Sequence, residues 1–131
     1  VENMENEEKI VNLGDKVVGE VELPKFDAEK YIGTKVNIAS VKEMTGVYGY
    51  FIRVETDPVE TYKGADGEPK DIRGSMNFGL VELEDGKIGW GKDAKLGMFL
   101  KHMKVNHYRD LVGKQVILQV ERKGDKTYLI F

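Results

Sequence analysis

Residues 93–120 read DAKLGMFLKHMKVNHYRDLVGKQVILQV, and their pattern decides the fold class. Leu96, Phe99, Leu100 and Met103 fall at i, i+3, i+4 and i+7, the spacing that puts four apolar side chains on one face of a helix. Asp93 stands where a carboxylate can cap the first free N–H groups. Lys101 and Lys104 lie near the end, where positive charge suits the helix dipole. Asn106 can open a second turn over residues 107–112, and Gly113 stops it. Residues 115–120 then alternate as a strand. No other stretch has a convincing helical period, so a sheet must supply the rest.

Upstream, the periods are all of two. In residues 34–42, Val36, Ile38 and Ser40 point one way, and Lys35, Asn37, Ala39 and Val41 the other. Met44-Thr45-Gly46 reads as a turn. Residues 47–56, VYGYFIRVET, form a long strand with Tyr48, Tyr50, Ile52 and Val54 on one face and Phe51, Arg53 and Glu55 on the other. Gly49 inside it predicts a bend or bulge. Residues 57–71, with Pro58, Gly64, Gly67 and Pro69, read as a strand end and a long exposed loop. A third long strand spans 72–83, where Ile72, Met76, Phe78 and Leu80 alternate with Arg73, Ser75, Asn77 and Val81. Asp85-Gly86 signals a hairpin returning through 87–91. Downstream of the helix, residues 115–122 and 127–131 form a hairpin across Lys123-Gly124-Asp125-Lys126.

Residues 1–33 stand apart as an acidic leader. Residues 1–9 are polar, without period and expected to be mobile. Residues 16–23 (KVVGEVEL) hold a possible extra strand ended by Pro24. Residues 25–33 hold a short helical turn, capped by Asp27 and stopped by Gly33, that would carry Phe26, Tyr31 and Ile32 to the core. The remainder, 34–131, forms one domain.

Strand, long strand, long strand, helix, strand, strand is the order of the OB-fold. This is a five-stranded Greek-key barrel with its helix between strands three and four. The phrase Leu111-Val112-Gly113-Lys114-Gln115-Val116 resembles the entry to the fourth strand in OB-folds of single-stranded-DNA-binding proteins. The close, Gly124 to Tyr128-Leu129-Ile130-Phe131, is similar to theirs as well. The resemblance covers residues 34–131 and implies an all-β domain with one helix. The other architecture open to this order is a different small antiparallel barrel with a helix.

Charge and composition narrow the function. The 131 residues carry a net charge of −3, with 33% charged and 40% hydrophobic residues and no cysteine. Disulfides, iron–sulfur clusters and zinc knuckles are thereby excluded. No apolar run reaches the roughly 18 residues that span a membrane. The acidic start is not a signal peptide, so a cytoplasmic protein, or its counterpart in a virus-infected cell, is expected. Residues 1–30 hold nine acids and four lysines, a net −5; residues 31–131 hold sixteen bases against fourteen acids, a net +2. Residues 92–131 reach +5, with nine bases and four acids. That balance permits polyanion binding but falls short of a dedicated duplex binder.

No GxSxG, Walker loop, HExxH or GxGxxG occurs. His102 and His107 are five apart and lack an acid cluster, a poor metal site. A non-catalytic protein without cofactor is expected. The candidate chemistry is aromatic and basic. Bases stack on aromatic side chains while Lys and Arg follow the phosphates. Phe51 and Arg53 on strand two, Arg73, Ser75 and Asn77 on strand three, and Lys35 and Asn37 on strand one share the less apolar face. Tyr48, Trp90, Arg122, Lys123 and Lys126 could frame it. Trp90 has a second reading as a lid on the core, and Tyr50 and Phe78 read as core. The expected function is single-stranded nucleic-acid binding, DNA before RNA, in replication, recombination or repair. The alternative is a protein–protein module, with the acidic leader as one docking element. Fold alone does not choose between them.

Overall fold

The computed structural model describes residues 8–21 and 27–131. It is mostly β, with one α-helix. Ten strands run in chain order: β1 Lys35–Gly46, β2 Gly49–Thr56, β3 Glu60–Lys63, β4 Pro69–Ile72, β5 Ser75–Gly79, β6 Val81–Glu82, β7 Ile88–Gly89, β8 Gln115–Ile117, β9 Gln119–Lys123 and β10 Lys126–Ile130. The helix, α1, covers Lys95–Met103, between β7 and β8. Among the described residues there are also two short 3-10 turns, Ala28–Tyr31 and Tyr108–Leu111.

A curled antiparallel sheet, ordered β5-β2-β1-β8, forms the frame. β1 is long enough to serve two neighbours. Its first residues pair with β8 (Val36 opposite Val116), and the rest pair with β2 (Val41 opposite Val54). Between the two lies a bulge, where the register shifts from Ile38 opposite Thr56 to Ser40 opposite Glu55. An extra residue in one strand bends it and tightens its twist, which curls the sheet. The bend expected at Gly49 is instead a tight turn. Gly46 and Gly49 face each other across Val47-Tyr48, and Gly49 takes φ +107°, a conformation open to glycine at little cost.

The bulge also reverses the alternation of β1. Val41, expected beside Lys35 and Asn37, packs against the core instead, and Lys42 and Met44 face outwards opposite Arg53 and Phe51. The loop expected over 57–71 contains the β3–β4 hairpin, which closes with Lys63 opposite Pro69. All of β3 is exposed, so it has no apolar alternation to reveal it. The long strand expected over 72–83 is divided among the end of β4, β5 and β6. The strand expected after the helix breaks at Leu118, which is fully buried and exchanges backbone hydrogen bonds with Gly33 and Thr34.

α1 buries Leu96 and Leu100 against Ile38, Ile52, Val54 and Phe78, with Phe99 and Met103 half-buried beside them. Its cap is Ala94, without a side-chain hydrogen bond; Asp93 lies one residue too early and stands 3.9 Å from Lys101 Nζ. Gly97 seats the helix start. A Cβ there would lie 2.3 Å from the Gly91 carbonyl oxygen, so only glycine allows the approach. The turn at 108–111 is capped by His107, whose Nδ1 accepts from Arg109 N at 3.1 Å, and not by Asn106.

A second apolar cluster gathers Ala28, Tyr31, Ile72, Leu118 and Leu129. Val36 and Phe131 touch both clusters. The folded body therefore starts before residue 34. The turn at 28–31 forms with Asp27 as its cap, but Ile32 is exposed, and Phe26 lies outside the described residues. Residues 16–21 of the possible extra strand carry no strand, and 22–23 lie outside the described residues, as do residues 1–7 of the acidic leader. No helix among the described residues is long and apolar enough to cross a membrane.

Candidate functional site

The outward face of β2 is built by strict alternation. Ile52 and Val54 are completely buried, which leaves Phe51, Arg53 and Glu55 half-exposed on the opposite side. The register then sets three cross-strand rows over β1, β2 and β5. Met44, Phe51 and Gly79 form one, Lys42, Arg53 and Asn77 the next, and Ser40, Glu55 and Ser75 the third. Gly79 opposite Phe51 leaves the ring uncovered on that side. Arg53 stacks its guanidinium 5.7 Å from the Phe51 ring centre and donates from Nε to Asn77 Oδ1 at 3.1 Å. These two contacts hold the cation beside the ring.

Two grooves flank this platform. The first, about 510 Å³, lies between β5 and β10, which share no strand pairing among the described residues. It brings together Arg73, Ser75, Asn77 and Lys123 with Tyr62, Tyr128 and Lys95. The second, about 470 Å³, lies at the β1–β2 hairpin. Its walls include Tyr50 and Phe51 on β2, Met44 on β1, and Trp90 and Tyr108 beyond β7. Trp90 packs edge-on against His107 at 5.2 Å and tilts against Tyr108 at 5.6 Å. It is half-buried, serving both as a cover for the core and as a groove wall. Tyr50, expected in the core, is 44% exposed because it stands one residue past the hairpin turn, beyond the reach of α1.

Other expected residues go elsewhere. Lys35 and Asn37 pair with Ile117 and Gln115 of β8, on the far side of the bulge from Phe51. Tyr48 sits at the tip of the β1–β2 hairpin, fully exposed. Arg122 pairs with Glu29, tying β9 to the first 3-10 turn. Lys126 lies directly opposite Lys123 across the last hairpin. Glu55 shares the platform face with Phe51 and Arg53, as the alternation of β2 predicts, whereas Lys42 and Met44 belong to it but were hidden by the unseen bulge in β1. Tyr128 and Lys95 also line the first groove, and no pattern in the sequence joined them to it.

The cations of the site are mostly held by acids. Arg73 pairs with Asp71 at 2.9 Å and also donates to the Thr56 carbonyl at 3.3 Å. Lys42 pairs with Glu55 at 2.9 Å and Lys123 with Glu121 at 3.0 Å. Arg53 and Lys95 have no ion pair among the described residues, and Lys95 stands over the Phe78 ring at 5.5 Å. The Thr61 hydroxyl, then Arg73, hold the Asp71 carboxyl below its ordinary value.

The second groove contains one carboxylate, Glu43. Its Oε2 accepts from the Tyr108 hydroxyl and, at 3.1 Å, from Arg109. The Tyr108 bond, then Arg109, push the Glu43 carboxyl down. Burial, followed by the bond to Glu43, pushes the Tyr108 phenol up. Among the described residues no group of three or more His, Asp or Glu side chains is placed to hold a metal ion. No family model, curated protein or solved structure matches the chain.

Proposed function

We propose that this domain is a five-stranded OB barrel that binds single-stranded nucleic acid without catalysis or cofactor, DNA in preference to RNA, in replication, recombination or repair. β1, β2, β5, the β8–β9 run and β10 supply the five strands, with α1 between the third and fourth. The sharing of β1 between β2 and β8 supports that path. One observation carries the functional reading: the fixed Phe51–Arg53–Asn77 unit on the exposed face, with a groove on either side. A base stacks on Phe51 while its phosphate meets Arg53. The ion pairs nearby do not oppose this. Exposed pairs are worth about 0–1 kcal/mol, so a phosphate displaces Asp71 or Glu121 at little cost. Lys123 facing Lys126 across a strand pair is unfavourable in isolation and is relieved by a bound anion.

The test is a titration of Trp90 fluorescence with poly-dT, poly-U and duplex DNA at two salt concentrations. Single strands bind, and binding weakens steeply with salt. Phe51→Ala lowers the affinity by about tenfold or more with the fold intact, since a stacked base is worth roughly 1–3 kcal/mol. Ile52→Ala, on the buried face, costs stability first. A chain that binds no strand at low salt overturns the reading.

A second reading rests on a separate observation. Residues 8–21 expose Ile10, Val11, Leu13, Val17, Val18 and Val21, with Val17 at 105% of full exposure. So many bare aliphatic side chains on one segment mark a docking arm for a protein partner. Removing residues 1–21 then abolishes partner capture and leaves strand binding in place.

A further inference from the structure

We propose that the groove between Phe51 and Trp90 takes one base of the bound strand, and that Glu43 selects there for a base carrying an exocyclic amine. The inference rests on the strand-binding reading and names what that site prefers. The groove holds about 470 Å³, ample for a single base, and shares Phe51 with the stacking platform. Four aromatic rings line it, Tyr50 and Phe51 from β2 and Trp90 and Tyr108 from the other flank, with Arg109 and Glu43 as its charged groups. Such rings hold any base by its faces and tell none apart. Discrimination needs a polar group placed at the base edge.

Glu43 is that group. Both of its hydrogen bonds, from Tyr108 and Arg109, fall on Oε2. Oε1 has no hydrogen-bond partner among the described residues. The carboxylate is thus fixed by one oxygen and offers the other. An ionised carboxylate only accepts hydrogen bonds. The same two donors keep it ionised at neutral pH. Cytosine and adenine present an amine as donor at their Watson–Crick edge, and guanine an amine beside a ring N–H. Thymine and uracil present a carbonyl oxygen where cytosine and adenine carry that amine, and its lone pairs repel the carboxylate. The pairing of an acidic side chain with the cytosine amine follows this logic.

The experiment compares labelled 12-mers of deoxycytidine and deoxyuridine by fluorescence anisotropy at one salt concentration. The two bases differ at a single ring position, amine against carbonyl, with the accompanying ring proton. The wild-type chain binds the cytosine strand at least about tenfold more tightly than the uracil strand, the worth of one hydrogen bond to a charged group. Glu43→Gln, which can both donate and accept, brings the ratio within about twofold, loosening the cytosine strand and relieving the repulsion that holds off the uracil strand. Equal affinities in the wild type overturn the proposal, whatever the variant does. So does a variant whose folded form, checked by circular dichroism, keeps the full preference. Failure to bind either strand falls instead on the platform reading, so the two failures are distinct.

Discussion

Thr56 is the single fully buried polar side chain among the described residues, at the last position of β2. Its hydroxyl accepts from Gly74 N at 2.9 Å and donates to the Asp57 carbonyl at 3.0 Å. Its backbone N–H also donates to the Gly74 carbonyl at 2.9 Å. The residue thereby joins the end of β2 to the start of β5, where Arg73 and Ser75 enter the groove. Thr56→Val keeps the shape and leaves the buried Gly74 N–H without its partner. Urea unfolding should show a loss of about 1–3 kcal/mol, and Thr56→Ser should recover most of it. An unchanged midpoint for the valine variant would mean that this N–H finds another acceptor. Residues of this kind were invisible in the sequence, since a threonine in a strand signals only β propensity. Phe51 and Arg53 were legible, because alternation with Ile52 and Val54 fixed their side of the strand. Val41 and Lys42 were not: the bulge before them has no residue signature, and one extra residue exchanges the two faces.

Among the elements, α1 shows how a pattern can be right while its ends are wrong. The period of Leu96, Phe99, Leu100 and Met103 is dictated by burial and survives in the structure. Its ends depend on backbone contacts that no period reports: the Gly97 approach to residues 91–92 at the start, and Lys104 at the finish. Lys104 has φ 59°, the one non-glycine residue with positive φ among the described residues, and its N–H caps the carbonyls of Leu100 and Lys101. A side chain in that conformation costs roughly 1–2 kcal/mol, partly offset in glycine by the freedom it loses on folding. Lys104→Gly should therefore raise stability by about 1 kcal/mol, read as a rise of a few degrees in melting temperature. A fall would show that the lysine side chain makes a contribution larger than its strain. The β3–β4 hairpin is the opposite case. Its Gly67 reads in the sequence as part of a long loop, because four exposed residues on β3 give no alternation to mark a strand beside it.

At the scale of the molecule, three exposed carboxylates tie separate parts together. Glu43 joins β1 to the turn at 108–111, Glu60 joins β3 to the turn at 28–31 through Tyr31 and Lys30, and Asp71 joins β4 to Thr61 and Arg73. Each is held below its ordinary value: Glu60 first by the Tyr31 hydroxyl, Asp71 first by the Thr61 hydroxyl, Glu43 first by Tyr108. A carboxyl depressed in the folded state contributes stability that is complete above its unfolded value, here 4.5 for the glutamates, and is lost as pH falls through the folded value. Melting temperature should thus hold steady near neutrality and decline below about pH 4. Glu43→Gln should lower the plateau and make the acid decline shallower; an identical decline would remove Glu43 from the account.

The division of the interior into two clusters, linked by Val36 and Phe131, also sets the order in which the chain comes apart. Trp90 reports on the first cluster alone, and the smaller second cluster has less to lose. Partial opening should begin there, releasing the turn at 28–31 and the β9–β10 hairpin as one cooperative unit while the helix stays seated. Amide exchange in β10 should then run faster than in β2, and Leu129→Ala should widen the gap without moving the fluorescence transition of Trp90. Coincident exchange rates in the two strands would mean that the clusters open as one. The groove between β5 and β10 lies along this dividing line, so a nucleic-acid strand bound there as proposed would draw the two units together and slow the escape of both.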